Sequence, residues 1–256
     1  MTTRALGVRD DRTRRLRCDR LSKRFGGVWA LREVTIDFPA QGTVAVIGPN
    51  GAGKSTLLNV LTGYLRSDSG DAFVNGREIR GSEPYEIARM GVGRTFQNLR
   101  LVQAISVLDN CLLAADGAGW FSALWPREQR SRGQLDRVRE MLEKVHLSDK
   151  SGDIVGTLSY GQQKLLSLAC CLLTTPSIML LDEPVAGVHP EVADQILGIL
   201  GEYSDTGRVV VFIEHDLAAV RNLADTVIVM DEGRVIAQGL PSTVLGRADI
   251  MEAYLD

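Results

Sequence analysis

Eight consecutive residues hold the densest concentration of potential chemistry in the chain: Gly48, Pro49, Asn50, Gly51, Ala52, Gly53, Lys54 and Ser55, followed by Thr56. They fit the pattern GxxxxGK[ST]. Three glycines let the backbone curl until successive N–H groups point at one anion. A helix starting at Lys54 adds the positive end of its dipole. Lys54 supplies a mobile cation to β- and γ-phosphates, and Ser55 offers a hydroxyl to Mg2+. A plain glycine turn between strand and helix requires no Lys-Ser pair, so the pattern points to phosphate. A second group is Asp182-Glu183, two carboxylates at the end of the apolar run Ile178-Met-Leu-Leu. Asp182 has the chemistry to hold Mg2+ through water, and Glu183 to polarise an attacking water. Neighbours on a strand point to opposite faces. Both therefore act on one ligand only if the chain leaves the strand between them, and the following Pro184 favours such an exit. A third group, Leu158-Ser159-Tyr160-Gly161-Gln162-Gln163, opens an apolar helical run. Ser159 is a natural N-cap, and Gly161 lets backbone approach phosphate.

These groups need a scaffold, and the hydrophobic pattern supplies an α/β one. Thr35–Phe38 and Thr43–Ile47 read as strands, with another near Leu16–Leu21. Lys54–Thr62 reads as a helix closed by Gly63. Asp71–Val74 is a strand ending in the Asn75-Gly76 turn signal. Ile178–Leu181, Val209–Ile213 and Thr226–Met230 are nearly continuous apolar runs, the mark of strands covered on both faces. A helix near Leu217–Ala224 separates the last two. Asp231-Glu232-Gly233 turns the chain into a final strand, Arg234–Gln238. From about 98 to 173 no β run stands out. Ser106–Ala115, Arg127–His146 and Gly161–Leu173 fit helices instead. A helical subdomain inserted into a nucleotide-binding α/β core is the expected organisation.

Composition agrees. The chain has 256 residues, 45% hydrophobic and 24% charged, which suits a globular protein and excludes disorder, collagen and coiled coil as its main structure. A chain of this size buries enough surface to fold without disulfides. A membrane-spanning helix needs about 18 or more successive apolar residues. The most apolar stretch, Leu165 to Leu173 and Ile178 to Leu181, is broken by Ser167 and by Thr174 through Ser177. The start lacks the apolar segment of a secretory signal, so a cytosolic location is expected. Cys18, Cys111, Cys170 and Cys171 form no CxxC pair and read as small buried hydrophobes. Residues 1–24 hold nine Lys/Arg against three Asp/Glu, while the rest of the chain holds 20 against 29. That basic head carries no interleaved aromatics, so nucleic acid is not an expected partner, and a solvated tail is the plainer reading.

The phosphate loop, the Ser159–Gln162 signature and the acidic strand, in this order, resemble the ATP-binding-cassette (ABC) ATPase domain. The resemblance runs from about Cys18 to the C-terminus. It implies a P-loop NTPase core of RecA-like type, with an antiparallel β subdomain and an inserted α-helical one. The cassette would span 16–256, with its core at about 16–97 and 174–256, its helical subdomain at about 98–173, and a basic extension at 1–15. It implies ATP and Mg2+ as ligands. It assigns Gln97, in Arg94-Thr-Phe-Gln97, to metal and water, and His215, in Glu214-His215-Asp216, to the catalytic switch. Phe25, in Lys23-Arg-Phe25-Gly-Gly, matches the aromatic that stacks on adenine. Gly48 to Thr56 would hold the phosphates, Ser55, Gln97 and Asp182 the metal, and Glu183 the attacking water. Two departures stand out. The signature reads LSYGQ where LSGGQ is commonest, and His189 stands where many relatives have Asp.

The family resemblance further implies two cassettes head to tail, each ATP lying between one phosphate loop and the partner's Ser159, Gly161 and Gln162. The second cassette would be the same chain or a paralogue. Transmembrane permease subunits and, indirectly, an extracytoplasmic substrate-binding protein would complete the machine, with this subunit peripheral on the cytoplasmic face of the plasma membrane. Arg94-Thr-Phe-Gln-Asn-Leu-Arg-Leu, the insert Trp120-Phe-Ser-Ala-Leu-Trp125 and the ending Ile250-Met-Glu-Ala-Tyr254-Leu resemble ATPase subunits of branched-chain (hydrophobic) amino-acid importers. Pro184-Val-Ala-Gly187 is similar to the matching stretch in urea and short-amide importers. The alternatives are a lipopolysaccharide-export ATPase, similar in the Ala-Gly-Val run, and a soluble iron–sulfur-assembly type of ABC ATPase. An added regulatory domain is not expected. The Trp120–Trp125 cluster reads first as a satellite hydrophobic cluster and second as a docking patch for a permease.

Overall fold

The computed structural model describes residues 15–95, 99–115, 132–248 and 250. Gln97, the cluster at 120–125, residues 1–14 of the basic head and the ending 251–256 lie outside the described residues.

Among the described residues ten strands form two sheets. The first is antiparallel and joins β1 (Leu16–Phe25), β2 (Val28–Asp37), β4 (Ser69–Val74) and β5 (Arg77–Glu78) in the order β2-β1-β4-β5. The second contains β3 (Gly42–Ile47), β6 (Val92–Arg94), β7 (Ile178–Asp182), β8 (Val209–Ile213), β9 (Thr226–Asp231) and β10 (Arg234–Gly239). Its order is β10-β9-β3-β8-β7-β6, parallel except for the β9–β10 hairpin. The helices are α1 (Lys54–Leu61), α2 (Pro84–Arg89), α3 (Val107–Ala115), α4 (Arg132–Lys144), α5 (Tyr160–Leu173), α6 (Pro190–Asp205), α7 (Leu217–Leu223) and α8 (Pro241–Val244).

Period-two alternation explains the all-apolar central strands. Ala45, Ile47, Met179, Leu181, Val210, Phe212, Val227 and Val229 face one core, which they share with α3, α5 and α6. Val44, Val46, Ile178, Leu180, Val211, Ile213 and Ile228 face the other, shared with α1 and the antiparallel sheet. A strand covered on both sides has no solvent face, so it has no polar phase in its sequence. Each Val or Leu so buried contributes about 1.5–3 kcal/mol relative to exposure.

The expected strands and helices recur, with differences that have physical causes. The strand expected at Thr35–Phe38 is the end of a longer one that starts at Val28. Its first two residues, Val28 and Trp29, are exposed, and bulges shift its register with β1, so no clean alternation marks it. The three-residue β6 and the helix α6 lie outside the elements expected from periodicity. Of the helix expected at Arg127–His146, Arg132–Lys144 is described and helical. Between 99 and 173 the described residues form no strand, only the isolated bridge Ser106–Ile154. Cys18, Cys111 and Cys171 are buried and Cys170 is half-buried, all as free thiols.

Candidate active site

Open parallel sheets bind ligands beyond the carboxyl ends of their strands. Here the order β3-β8-β7 sets three such ends side by side, with Val46 paired to Ile213 and Ile213 paired to Asp182. The phosphate loop leaves β3, Glu214-His215 leaves β8, and Asp182-Glu183 closes β7. Sequence segments more than 120 residues apart therefore meet along one edge.

The loop is shaped by its glycines. Gly53 is the N-cap of α1 at φ +98, and Gly51 has φ +84. A Cβ on Gly53 would lie 2.2 Å from the Ala30 carbonyl oxygen of β2, whereas one on Gly51 would meet nothing within 4 Å. Gly53 is thus required twice, by its backbone angle and by a neighbouring strand. Ala52 packs into the core beneath the loop. Lys54 is 6% exposed, and its Nζ donates to the carbonyls of Gly48 (2.7 Å) and Pro49 (2.8 Å). Burial pulls the Lys54 ammonium below its usual pKa, while the Glu183 and Asp182 carboxylates push the other way.

The acidic pair sits opposite. The Ser55 hydroxyl faces Asp182 Oδ1 at 3.5 Å, and Arg94 Nη2 lies 3.8 Å from Asp182 Oδ2. Burial raises the Asp182 pKa, and Arg94 opposes the rise. The strand ends at Asp182, because Glu183 adopts a left-handed φ of +50. The exit expected from Pro184 thus occurs one residue earlier, at Glu183 itself. It turns the Glu183 carboxylate toward His215, whose Nε2 lies 3.2 Å from Oε1. Asn50, Gly51, Gly53, Lys54, Ser55, Thr56, Glu183 and His215 line one cleft of about 190 Å³.

Four expected site residues, Phe25, Ser159, Gly161 and Gln162, do not line that cleft. Phe25, 52% exposed, sits at the tip of the β1–β2 hairpin with Lys23 Nζ 5.7 Å from its ring centre. Ala30, five residues on, lines the cleft. Ser159 and Gln162 form a reciprocal cap at the start of α5. The Ser159 hydroxyl accepts from Gln162 N–H (3.3 Å), and Gln162 Oε1 accepts from Ser159 N–H (2.9 Å). Gly161 lies against Val192 of α6, which a Cβ would approach to 3.4 Å. The Ser159–Gln162 turn does not line the cleft of its own chain. Gln97 lies outside the described residues.

Sequence reasoning missed two residues at the site. Lys164 of α5 donates to the carbonyls of Glu183 (2.7 Å) and Ala186 (2.8 Å). Glu214 accepts from Val185 N–H (2.9 Å) and His215 N–H (3.3 Å). The available signal was a charged residue at the edge of an apolar run in each case.

Comparison with known proteins bears on this arrangement. The family model described as "ABC transporter" matches residues 31–186, more than half of the chain. The chain belongs to the ABC transporter family. It is 37% identical over 92% of its length to the high-affinity branched-chain amino acid transport ATP-binding protein BraF of Pseudomonas aeruginosa, 95% of which is covered. It is 36% identical to LivG of Escherichia coli K12, a protein of the same description, with the same coverage. Among solved structures it matches the ADP conformation of an ATP-binding cassette of an ABC transporter, with TM-score 0.84 and 33% identity, over 94% of this chain and 98% of that one. The P-loop NTPase fold and the membership of a nucleotide-binding ATPase family expected from the motifs are thereby established. An ABC cassette implies permease partners and a paired cassette. None of the described helices is long and apolar enough to cross a membrane.

Proposed function

We propose that this chain is the ATP-hydrolysing subunit of an importer for branched-chain or related hydrophobic amino acids. The observation that carries the catalytic part is the convergence of Lys54, Glu183 and His215 on one cleft. The names of the relatives above favour amino-acid transport over lipopolysaccharide export or iron–sulfur assembly.

Phosphoryl transfer needs positioning and charge stabilisation more than covalent chemistry. The N–H groups of the Gly48–Thr56 loop and the dipole of α1 cradle the phosphates. Lys54 exchanges its loop carbonyls for β- and γ-phosphate oxygens. Glu183 takes the proton of the attacking water, and His215 fixes the carboxylate that does so. Phe25 stacks on the adenine. Ser159, Gly161 and Gln162 serve the ATP of the opposing cassette, which accounts for their distance from the cleft of their own chain.

The site also suits Mg2+. Ser55 and Asp182 present a hydroxyl and a carboxylate to each other, and Mg2+ is held by one or two protein oxygens together with phosphate and water. Ser55, Asp182 and Gln97 would hold the ion, and it would neutralise charge on the transferring phosphate.

We place the cassette at 16–256, with the helical subdomain at about 98–173 and the basic extension at 1–15. Its partners are a second cassette, of the same chain or a paralogue, two permease subunits and, indirectly, a substrate-binding protein. It sits peripherally on the cytoplasmic face of the membrane. Deletion of the gene, followed by measurement of radiolabelled leucine uptake, tests the proposal. Uptake lost on deletion, restored by the wild type and not by Lys54→Ala supports it. Unchanged leucine uptake, together with ATPase activity in the purified protein, would reject the substrate class and leave the ATPase reading standing.

A further inference from the structure

We propose that Lys164 is a positioning residue for ATP hydrolysis, acting with Glu214 to clamp the Glu183–Ala186 turn that presents the Glu183 carboxylate. The inference rests on the reading of Glu183 as the catalytic carboxylate.

The turn needs holding. Glu183 lies at φ +50, a region that residues with a Cβ seldom adopt. Its N–H still donates to the Ile213 carbonyl at 3.1 Å, and its carbonyl accepts from Ala186 N–H at 3.3 Å. Lys164 Nζ adds donors to the Glu183 and Ala186 carbonyls, spanning the first and last residues of the turn. Glu214 accepts from Val185 N–H, inside the same turn, and from the backbone of His215. His215 in turn touches the Glu183 carboxylate through Nε2. The circuit therefore closes on one functional group.

The two clamping residues are chemically costly choices. Lys164 is 8% exposed and Glu214 2% exposed. Burial depresses the pKa of the Lys164 ammonium and raises that of the Glu214 carboxyl. Buried charges are often neutral or unfavourable for stability relative to apolar replacements, so stability alone is a weak reason for both. Together they instead direct their hydrogen bonds to the backbone of four residues, Glu183, Val185, Ala186 and His215. An aromatic ring on α5 lies beside the clamping ammonium. The Tyr160 ring lies 5.4 Å from Lys164 Nζ. The helix that opens with Ser159 thus grips the segment carrying Glu183.

The test uses the full chain and three variants: Lys164→Met, Lys164→Met with Glu214→Gln, and Lys164→Arg. Steady-state ATPase kinetics, nucleotide affinity and Tm are measured for each. Lys164→Met is expected to lower kcat by roughly 10- to 100-fold, the range that follows from misplacing a reacting group by about an ångström. KM should stay within about threefold, because the phosphate loop is untouched. Lys164→Met should also lower Tm by leaving Glu214 buried with its opposing charge removed. The double variant removes that charge and keeps an acceptor for Val185 N–H, though not also for His215 N–H, so Tm should recover in large part while kcat stays low. Lys164→Arg should restore a large part of kcat. A double variant with recovered Tm and wild-type kcat would show a merely structural role and overturn the proposal. So would a Lys164→Met variant with unchanged kcat. A wild-type chain that hydrolyses no ATP would overturn the ATPase reading, and this inference with it.

Discussion

Replacing Gly53 by alanine tests how the phosphate loop is shaped, and Gly51→Ala is its internal control. Both glycines have positive φ, +98 and +84, so both substitutions carry backbone strain of about 1–3 kcal/mol. Only Gly53 has a wall behind it. Its added Cβ would lie 2.2 Å from the Ala30 carbonyl oxygen and 3.3 Å from Leu31 Cδ2, while Gly51 has open space out to 4 Å. Ordinary C···O contacts are about 3.3–3.6 Å, so the Gly53 variant must move β2 or the start of α1 by about an ångström. Overpacking of that kind costs a further 1–3 kcal/mol or so. The totals are then about 2–6 kcal/mol for Gly53→Ala and about 1–3 kcal/mol for Gly51→Ala. For a chain of this size 1 kcal/mol corresponds to roughly 2–4 °C in Tm. Midpoint values give losses of about 8–16 °C and about 4–8 °C. Thermal unfolding of the two nucleotide-free variants, followed by circular dichroism, reads the difference. Equal losses, or a larger loss for Gly51→Ala, would refute the claim that β2 fixes the loop.

Three further outcomes follow from the site. Lys54→Ala should nearly abolish ATP binding or turnover, because the buried phosphate charge loses its cation. Unchanged hydrolysis in a folded variant would remove the phosphate loop from the account. Phe25→Ala should leave Tm almost unchanged, since the ring is half exposed, but weaken ATP binding by roughly 1–3 kcal/mol, the worth of an aromatic stacked on a base. Equal affinity in a filter-binding assay would exclude Phe25 from the adenine site. Ser159→Arg should stop turnover and spare ATP binding by the monomer, as a long cation blocks close approach of the α5 N-terminus to the partner's phosphate. Mixed with Lys54→Ala, it gives heterodimers with one doubly damaged and one intact interface, so part of the activity should return. Full activity of Ser159→Arg alone would contradict a site shared between cassettes.

The parts of the fold legible in the sequence were those governed by local pattern. The Gly48–Ser55 loop announced itself by type and spacing, and β3, β7, β8 and β9 by runs with no polar phase. Ser159 at an N-cap followed from the preference of hydroxyls for helix starts, and the structure adds the return bond from Gln162. Elements that depend on partners were not legible. The three residues of β6 become a strand only by pairing with β7. The exposed start of β2 is shaped by bulges against β1. The turn at Glu183 is a further case, since it is held by Lys164 and Glu214, 19 and 31 residues away in sequence. A charge at the edge of an apolar run was the available sign of both residues. Its meaning required knowing which backbone lay opposite.

Glu183→Gln bears most directly on the central claim, that this cleft hydrolyses ATP with Glu183 as the group that activates water. The amide keeps the shape of the side chain and removes the base. The measurement is ATP hydrolysis by the purified variant, with size-exclusion chromatography in the presence of ATP. Loss of a general base typically costs about 10²- to 10⁴-fold in rate. The account predicts a loss of that size with ATP binding retained, and a shift to a dimer as trapped ATP holds two cassettes together. Hydrolysis at the wild-type rate would contradict it.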